Sequence, residues 1–469
     1  MVLGNLIQIN AVGAEDQFLY GNPQMTYFKE VFRRPTNFAI NYSKIPFSGS
    51  TNIDFGSTAS FLIPMKGDLL GGIYLDMKFK KIERINDYTF MNGETNKIAT
   101  KTSYVNGIGF NCIDKISISI NGNIIQTLNA ELIFMINELY NNQSQKESFY
   151  RMTKYYGDNF SVGSSNVEEL DTMLFIPFFF SMKPSAFLPI CGLTHSEIKV
   201  IIKFRTLDQC LVRSFNSKGE TFPGVDGYVL NDNLDIQGPA GEVPEKFNQF
   251  NEEVTAGIKS VDVYMQSIFL DNNEKRMFVN KELSYLVELF HIGNDHLIEN
   301  PSSSVNYFLD ITGRNPTKFI FFRFMREDVF NSNMYDNYTY DFDLKYGGGM
   351  YRFPYERNIL KLSNFMFNNT ELNSEVGVTF LANAQLYEKF KTKSDHLIYT
   401  YSFALNPTSF QPSGSINLSR VLHKNLKVNL IDESNYTNNN IKANLIFKHY
   451  TCFYNILIIK DGLGGLMYQ

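Results

Sequence analysis

The chain has 469 residues, with 43 lysines and arginines against 48 aspartates and glutamates, and a formal net charge of −5. A hydrophobic fraction of 43% excludes a disordered chain, and the length predicts about two to three domains. A protein that coats a genome needs a basic face to displace counterions, and no long basic run is present. We therefore expect no direct contact with nucleic acid.

The N-terminal segment lacks the basic leader of a signal peptide and carries Glu15 and Asp16 early. The longest apolar run, Leu174–Phe180, is far shorter than the roughly 20 residues that a membrane-spanning helix needs. The four cysteines show no CxxC spacing, which is typical of free thiols in an intracellular protein. These features predict a soluble chain that folds in the cytosol.

The first predicted element is a short helix near the N-terminus. Asn22 is a capping residue, and Pro23 suits the first helical position. An apolar stripe at helical spacing follows and ends before Pro35; it consists of Met25, Phe28, Val31 and Phe32. We therefore assign residues 1–34 to an N-terminal arm with a short helix.

Alternating apolar residues then predict a series of strands. In chain order these are Gly72–Lys80, Lys115–Asn121, Leu174–Phe180, Ile198–Phe204, Val261–Leu270, Leu283–Phe290, Lys318–Phe324, Leu397–Leu405 and Leu445–Lys460. Helical spacing recurs only in two further segments, Ala130–Tyr140 and, more weakly, Phe380–Phe390. Many strands with few helices, and no regular alternation of the two, predict an all-β sandwich class.

A motif of the form Pro-x-x-Phe-x-Pro occurs twice, from Pro184 to Pro189 and from Pro407 to Pro412, each time after a strand. Proline cannot join a strand ladder, so it ends one strand and directs a stiff crossing to the next. Upstream of each motif a strand leads through a polar turn, Asn121-Gly122 or Asn368-Asn369, towards a helical segment. These correspondences favour a tandem duplication, with chance recurrence of the motif as the alternative.

Four long loops separate the predicted elements, at 84–112, 141–171, 207–257 and 327–357. Structureless loops of this length are usually exposed or functional. The last is rich in tyrosine, which suits either packing against another subunit or a solvent-facing projection; it contains Tyr335, Tyr338, Tyr340, Tyr346, Tyr351 and Tyr355. The division into domains follows: the arm, a first unit at 35–272 and a second at 273–469.

Groups that could carry chemistry are sparse. The six histidines form no metal-binding spacing, and we expect His291 and His296 to make ordinary hydrogen bonds in a loop. Asp341 and Asp343 lack the glycine of a calcium loop. The glycines after Asp461 are followed by too few residues for the helix of a phosphate loop. We predict no catalytic, cofactor or metal site, and therefore no enzyme.

Several motifs together resemble one protein family. In chain order they are Gly13–Leu19, Gly21–Lys29, Arg33–Phe38, Gly67–Leu70, Ile116–Gly122, Ile176–Leu193, Leu270–Asp271, Glu274–Phe278 and Tyr401–Arg420. In these stretches the chain resembles the major capsid proteins of large eukaryotic double-stranded DNA viruses, the nucleocytoplasmic or giant-virus lineage.

The resemblance implies a double jelly roll, two tandem eight-stranded antiparallel sandwiches with a few short helices. It further implies a homotrimer of pseudo-hexagonal outline that tiles an icosahedral virion shell beside neighbouring capsomers. The arm would lie on the inner side of the shell, near minor capsid proteins and, as a further candidate, an internal membrane, and the long loops would cover the outer face. Assembly would take place in the host cytoplasm.

Residues of the arm and of the two proline crossings are our candidates for structural or assembly roles. They are Asn22, Pro23, Tyr27 and Phe28 in the arm, Pro184 and Pro189 in the first crossing, and Phe410, Gln411, Pro412 and Gly414 in and after the second. The 42 phenylalanines and 27 tyrosines exceed what one small core needs, which indicates further aromatic surface buried between layers or subunits.

Two alternatives to a major shell protein remain. One is a minor or vertex capsid paralogue of the same fold. The other, from a different class, is a jelly-roll protein that binds or processes carbohydrate. That role calls for paired carboxylates on facing strands and for aromatic platforms, often of tryptophan, and the chain contains no tryptophan.

Overall fold

The computed structural model describes residues 10–11, 13–14, 21–30, 32–48, 53–84, 101–156, 168–214, 229–230, 236–237, 254–279, 281–331, 333–338, 358–431 and 444–468. The chain forms two units, Met1–Phe38 and Ala39–Gln469, and each is described by itself.

The strands of the described chain, numbered in order, are short to long and mostly antiparallel. They are β1 (Phe38–Ile45), β2 (Thr58–Leu62), β3 (Leu69–Phe79), β4 (Glu83–Arg84), β5 (Lys101–Tyr104), β6 (Ile113–Ile120), β7 (Asn123–Leu128), β8 (Leu170–Phe175), β9 (Ile198–Phe204), β10 (Leu211–Ser214), β11 (Val229–Leu230), β12 (Ile236–Gln237), β13 (Val254–Thr255), β14 (Ile258–Leu270), β15 (Leu283–Ile292), β16 (His296–Ile298), β17 (Asn306–Asp310), β18 (Pro316–Arg326), β19 (Leu360–Phe367), β20 (Thr370–Glu371), β21 (Tyr399–Ser402), β22 (Ile416–Asn417), β23 (Lys424–Leu430), β24 (Leu445–Lys460) and β25 (Leu463–Leu466).

The helices are fewer and shorter. They are α1 (Ile108–Asn111), α2 (Ala130–Tyr140), α3 (Gln143–Thr153), α4 (Asn272–Val279) and α5 (Glu327–Asn331), with π-helical segments at Thr379–Ala384 and Leu386–Phe390 and 3₁₀ turns at Pro184–Ala186, Ile190–Gly192, Leu207–Gln209 and Leu418–Arg420.

Two four-stranded sheets form the first sandwich, in the orders β1-β14-β3-β8 and β2-β9-β6-β7. Their inner faces are apolar and their outer faces polar, as alternation along a half-buried strand requires. In β9, for example, Ile198, Val200 and Ile202 are buried, whereas Lys203 points to solvent. This alternation is what makes the strand recognisable in the sequence.

The second sandwich repeats the strand order of the first. Its main sheets run β15-β24-β18-β21 and β17-β23-β19-β20, with β16, β22 and β25 as additions to the first of these. Among the eight strands of these main sheets, the first strand of each sandwich pairs with the last: β1 with β14, and β15 with β24. The second strand pairs with the penultimate one: β2 with β9, and β17 with β23. This is the tandem arrangement of two jelly rolls, and the all-β class predicted from the sequence is confirmed.

Both sandwiches also share a tight hairpin in which both turn residues have positive φ. Asn121 and Gly122 join β6 to β7 with φ of 53° and 82°, and Asn368 and Asn369 join β19 to β20 with φ of 50° and 62°. Such two-residue turns match the right-handed twist of the strands, and asparagine and glycine tolerate that conformation best. The repeated turn supports the predicted duplication of the chain.

The helix predicted in the arm is absent from the described residues 21–30 and 32–34. Asn22 adopts a left-handed φ of 50°, and the side chains of Met25, Phe28 and Phe32 are exposed. A helix of about three turns is marginal unless tertiary packing buries its apolar face. The predicted stripe has no such burial here, so the helix prediction is wrong.

The four loops predicted to be structureless contain regular elements. The loop 84–112 holds β5 and α1, the loop 141–171 holds α3, the loop 207–257 holds β10 to β13, and the loop 327–357 begins with α5. Helix α3 starts at a capping box, in which Asn142 and Gln145 each bond the other's backbone N–H group. Because this helix has few apolar residues, the sequence shows no clear helical periodicity there.

Two boundaries also differ from the prediction. Strand β8 ends at Phe175, because Pro177 cannot donate to a ladder and the chain turns at Phe179 and Phe180. The weakly predicted helix at Phe380–Phe390 is present in π-helical form.

Candidate functional site

The two sandwiches meet along a contact that we call the intrachain seam. It joins β7, helices α2 and α3 and residues 183–196 of the first sandwich to β15, β18, β24 and residues 333–338, 393–396, 408–410 and 461–466 of the second. Within it, the ring centroid of Tyr140 lies 6.2 Å from that of Phe290 and 6.3 Å from that of Phe319. Part of the chain's large number of aromatic side chains is thus buried between its own two sandwiches.

Helix α2 supplies the centre of this seam. The Asn129 side chain caps it by accepting the N–H of Leu132 at 2.8 Å. The helix is buried on nearly every side, and its two acidic residues, Glu131 and Glu138, are buried with it. Buried carboxylates need partners, and both find them in the other sandwich or in α3.

Glu131 meets two cations of the second sandwich. Its carboxylate lies 3.1 Å from Arg323 and 3.3 Å from Lys448. Burial favours the neutral acid, but the two cations outweigh it and the pKa of Glu131 is lowered. The Arg323 guanidinium stacks 3.6 Å from the ring centroid of Tyr338 and donates 2.8 Å to the carbonyl of Asn337. A charged pair therefore fixes the position of α2 against β18.

Glu138 forms a second buried cluster. Lys146 of α3 lies 3.3 Å from its carboxylate, and the Ser394 hydroxyl of the second sandwich donates to it at 3.0 Å. Lys146 also donates to the carbonyl of Lys393, and Tyr150 donates to Glu138. Helices α2 and α3 are thereby tied to the segment that leads into β21.

A third cluster joins the two proline crossings. Lys183, directly before Pro184, donates 2.8 Å to the carbonyl of Thr408 and lies 5.8 Å from the ring centroid of Phe410. On the same side, Lys318 lies 2.5 Å from Glu288 and donates 3.0 Å to the carbonyl of Ser409. The lysine that precedes the first motif thus contacts the second motif in the other sandwich.

The first crossing places its two prolines differently. Pro184 is exposed and opens a 3₁₀ turn, whereas Pro189 is buried before the next 3₁₀ turn. Between them, Leu188 exchanges backbone hydrogen bonds with Leu70 of β3 at 2.8 and 3.0 Å. The crossing is therefore fixed to the first sandwich.

The second crossing brings one candidate residue to the seam. Phe410 is half-buried under Lys183, whereas Gln411 and Pro412 are exposed. Gly414 has φ of 137°, and a Cβ there would lie 2.6 Å from the Phe403 carbonyl oxygen. Only glycine fits this conformation without strain.

The four arm candidates lie in the other unit of the chain, in a non-helical segment. Tyr27 and Phe28 are exposed, and Pro23 follows the left-handed Asn22.

The charged residues of the seam were not predicted from the sequence. They are Glu131, Glu138, Lys146, Lys183, Glu288, Lys318, Arg323 and Lys448. A signal was available, because several of them interrupt strongly apolar stretches, as Lys318 and Arg323 do in β18. Their partners lie far away in sequence, and no spacing could have paired them.

Two tyrosines of the predicted tyrosine-rich loop pack on arginines of the same chain. Tyr335 lies 4.2 Å from the Arg205 guanidinium, and Tyr338 lies under Arg323. Tyr338 is buried and Tyr335 is half-buried, so neither projects freely into solvent, and for Tyr335 packing against another subunit stays a prediction. The other four tyrosines, and Asp341 and Asp343, lie outside the described residues.

The histidine pair gains a third member that the sequence did not indicate. His449 of β24 is buried, its ring centroid lies 6.2 Å from that of His296, and it accepts the N–H of Thr312 at 2.9 Å. The Nε2 atom of His291 lies 3.3 Å from the side-chain hydroxyl of the same threonine. Burial lowers the pKa of His449 to about 3, with smaller contributions from His296 and His291.

Neither a metal site nor a membrane span is found in the described part of the chain. No three histidine, cysteine or acidic side chains within it are grouped to hold an ion. No helix among the described residues is both long and apolar enough to cross a bilayer. Asp461 and Gly462, with φ of 51° and 78°, form the turn into β25.

Two family models match the chain. One, described as the N-terminus of the major capsid protein, matches residues 26–271, and the other, described as the large eukaryotic DNA virus major capsid protein, matches residues 274–465. The chain belongs to this family of viral major capsid proteins. The resemblance stated from the sequence motifs is confirmed.

Individual relatives agree along the whole length. The major capsid protein of Pyramimonas orientalis virus is 26% identical over 471 residues, covering 99% of each chain. That of Paramecium bursaria Chlorella virus 1 is 24% identical over 500 residues, again 99% of each. A chain in the quasi-atomic model of the PBCV-1 virus capsid has a TM-score of 0.69 at 19% identity, over 95% of this chain and 100% of that one. The structural likeness confirms the double jelly roll.

As a member of the capsid family, the protein is a structural component of the virion shell and not an enzyme. The full-length match to major capsid proteins favours this function over the minor-paralogue and carbohydrate-processing alternatives.

Proposed function

We propose that three copies of this capsid protein form a homotrimeric capsomer of pseudo-hexagonal outline, which tiles an icosahedral shell beside identical capsomers. The observation that carries the proposal is the shared strand order of the two sandwiches. Three chains with two similar sandwiches each present six similar units around a threefold axis. Such an outline fills a flat facet with a single protein.

The interior of the chain suits a rigid building block. At the intrachain seam, the buried Glu131 pairs with Arg323 and Lys448 of the other sandwich. The Glu138–Lys146 pair of the first sandwich is hydrogen-bonded to Ser394 and to the Lys393 carbonyl of the second. A buried pair contributes little net stability compared with apolar packing, but breaking it is costly, so such pairs favour one arrangement over others. We infer that the two sandwiches keep one fixed relation, which a regular tiling requires.

The domain division follows from the same proposal. Residues 1–34 form the arm, residues 35–272 the first jelly roll and residues 273–469 the second. The arm, with Asn22, Pro23, Tyr27 and Phe28, contacts partners beneath the shell, namely minor capsid proteins and an internal membrane. Its exposed aromatic side chains support a role in binding rather than in a core.

Assembly takes place in the host cytoplasm. The four cysteines are free, and three of them are buried. Burial raises the pKa of Cys112 and Cys210, which keeps these thiols protonated and unreactive. A fold that uses no disulfide among its four cysteines suits a reducing compartment.

Light scattering on a size-exclusion column tests the central proposal. The purified protein should elute with roughly three times the chain mass of 53.9 kDa and should resist dilution. A monodisperse monomer at micromolar concentration would overturn the trimer.

A truncation tests the arm. Removal of residues 1–34 should leave the trimer intact. It should abolish co-assembly with the minor capsid proteins in infected-cell lysates. Loss of the trimer in the truncated protein would place the arm in the trimer contact instead.

A further inference from the structure

A small cavity lies between the two sandwiches, beside residues 333–338. The space within it that the centre of a water molecule can reach is about 20 Å³. By this measure one water molecule needs roughly 10–15 Å³, so the cavity holds a molecule of the size of water and little more. The residues around it come from both sandwiches, and they include Glu131, Phe134 and Arg205 of the first and Arg323, Met325 and Tyr338 of the second.

Two arginines, one from each sandwich, converge on this cavity at Tyr335. Arg205 follows β9 of the first sandwich, and its guanidinium lies 4.2 Å from the ring centroid of Tyr335. Arg323 lies in β18 of the second sandwich, and its Nη1 atom donates to the Tyr335 carbonyl at 3.1 Å. Tyr335 itself lines the cavity. The two guanidinium groups are therefore close to the same small space.

Each of these arginines keeps one donor without a partner. The Nη1 atom of Arg205 and the Nε atom of Arg323 are buried, and neither has a hydrogen-bond partner among the described residues. The whole Arg323 residue is only 1% exposed. An arginine nitrogen can donate but cannot accept, and buried polar groups in folded proteins are nearly always hydrogen-bonded. The two donors therefore call for an acceptor between them.

Glu131 presents an acceptor without a hydrogen bond at the same place. Its Oε1 atom lies 3.1 Å from Arg323 Nη1 as an ion pair, yet it accepts no hydrogen bond from the part of the chain that the structure describes. Its Oε2 atom lies 3.3 Å from the Lys448 ammonium. The residues that line the cavity thus offer two donors and one acceptor that no side chain satisfies.

The charges around the cavity decide which ligand fits. An anion would suit the two donors, but the carboxylates of Glu131 and Asp336 both line the cavity and would repel it. A cation would suit the carboxylates, but the guanidinium groups of Arg205 and Arg323 would repel it. Water is neutral, accepts two hydrogen bonds and donates two. It is therefore the ligand whose chemistry matches both kinds of unpaired group.

We propose that a water molecule binds in this cavity, accepts hydrogen bonds from Arg205 Nη1 and Arg323 Nε, and donates one to Glu131 Oε1. Buried waters in proteins typically make about three such bonds. This water joins the first sandwich to the second through two arginines that cannot bond each other. Because the site lies within one chain, it does not depend on the proposed trimer.

Radiolytic footprinting of the unaltered protein tests for the water. X-ray pulses split bound water into hydroxyl radicals, which oxidise the side chains around it even where bulk solvent does not reach. Met325 lines the cavity and is 1% exposed, whereas Met77 of β3 is 0% exposed and does not line it. Met325 should be oxidised several-fold faster than Met77. Equal rates for the two methionines would overturn the proposal.

A crystal structure at a resolution that shows ordered water identifies the molecule. A density peak should lie within about 2.7–3.2 Å of Arg205 Nη1, Arg323 Nε and Glu131 Oε1. Growth in sodium bromide in place of sodium chloride separates water from an anion, since bromide scatters anomalously and water does not. An anomalous peak at the site would replace water by an anion. A map without a peak among these three atoms would also contradict the proposal.

A matched pair of variants tests the part played by arginine. Arg205→Met keeps the aliphatic stem and removes the donor, so it should remove the density peak and slow the oxidation of Met325 to the rate of Met77. Lys203→Met removes a nearby cation whose ion pair with Asp114 is exposed, and it should leave both readouts unchanged. A peak that persists in Arg205→Met would show that this arginine does not hold the water. If Arg205→Met does not fold, the two measurements on the unaltered protein decide the question.

Discussion

Lys183 donates a hydrogen bond of 2.8 Å to the carbonyl of Thr408, and thereby ties the first proline crossing to the second. Burial lowers the pKa of this ammonium, and the nearby Glu288 carboxylate opposes that shift. The ammonium also lies 5.8 Å from the ring centroid of Phe410. The second copy of the motif is thus held by the residue that directly precedes the first.

Replacing this lysine tests the importance of the contact. Lys183→Met keeps the aliphatic stem and removes the donor, and we expect a loss of about 1 kcal/mol in the free energy of unfolding, since the group is only partly buried. Urea unfolding followed by fluorescence measures it. Lys66→Met, at an exposed lysine, is the control and should change nothing. Equal stability of the two variants would show that the contact is incidental.

Breaking the Glu138 cluster should lower the free energy of unfolding more than the Lys183 substitution does. Lys146→Met leaves a buried carboxylate without its cation, and we expect a loss of about 3–5 kcal/mol. The double variant Glu138→Leu/Lys146→Met removes both charges and should be less destabilised than the single one. Urea unfolding of both, together with Glu138→Leu, closes the cycle. Strictly additive effects would show that the two groups do not interact.

Gly414 offers a test of backbone strain. Gly414→Ala places a Cβ against the Phe403 carbonyl in a conformation that side chains rarely adopt, and we expect a loss of about 1–3 kcal/mol. Gly465→Ala is the matched control, because nothing lies within 4 Å of the added atom. Thermal unfolding should separate the two variants by several degrees, and identical midpoints would refute the strain.

The buried His449 should make the second sandwich sensitive to acid. Its folded pKa of about 3 lies below the unfolded value near 6.5, so the unfolded chain binds one more proton between these values. Stability is then fully present above about pH 6.5 and falls as the pH drops towards 3, by up to about 1.4 kcal/mol per pH unit. The pKa of His291 is also lowered, mainly by burial, which adds to the same trend.

Unfolding at several pH values measures this dependence. His449→Gln retains a side-chain acceptor and should flatten the slope between pH 7 and 5, although it costs some stability at neutral pH. His423→Gln, at an exposed histidine, should leave the slope unchanged. A slope that is the same in all three proteins would assign the acid sensitivity to other groups.

Long periodic elements could be predicted from the sequence almost to the residue. Helix α2 and strand β24 have the predicted bounds, because a sustained apolar period leaves one structural solution. Helix α3 was missed because its apolar residues are few and its start depends on the capping pair Asn142 and Gln145. The arm helix was predicted and is absent, because local propensity without burial does not hold a short helix.

The seam was beyond prediction for a different reason. Its contacts join residues that are far apart in the chain, as Lys146 and the Lys393 carbonyl are. The sequence shows that a charge interrupts an apolar stretch, but only the arrangement of the two sandwiches decides which charge it meets. Among the candidates of the second proline motif, Phe410 lies at the seam, while Gln411 and Pro412 beside it do not.

The buried ion pairs also bear on how a curved shell accommodates this protein. Any hinge motion between the sandwiches would separate Glu131 from Arg323 and Lys448 in a buried environment. The two sandwiches therefore move as one rigid unit. Curvature at a facet or an edge of the shell must then be accommodated by changes in the contacts between neighbouring capsomers.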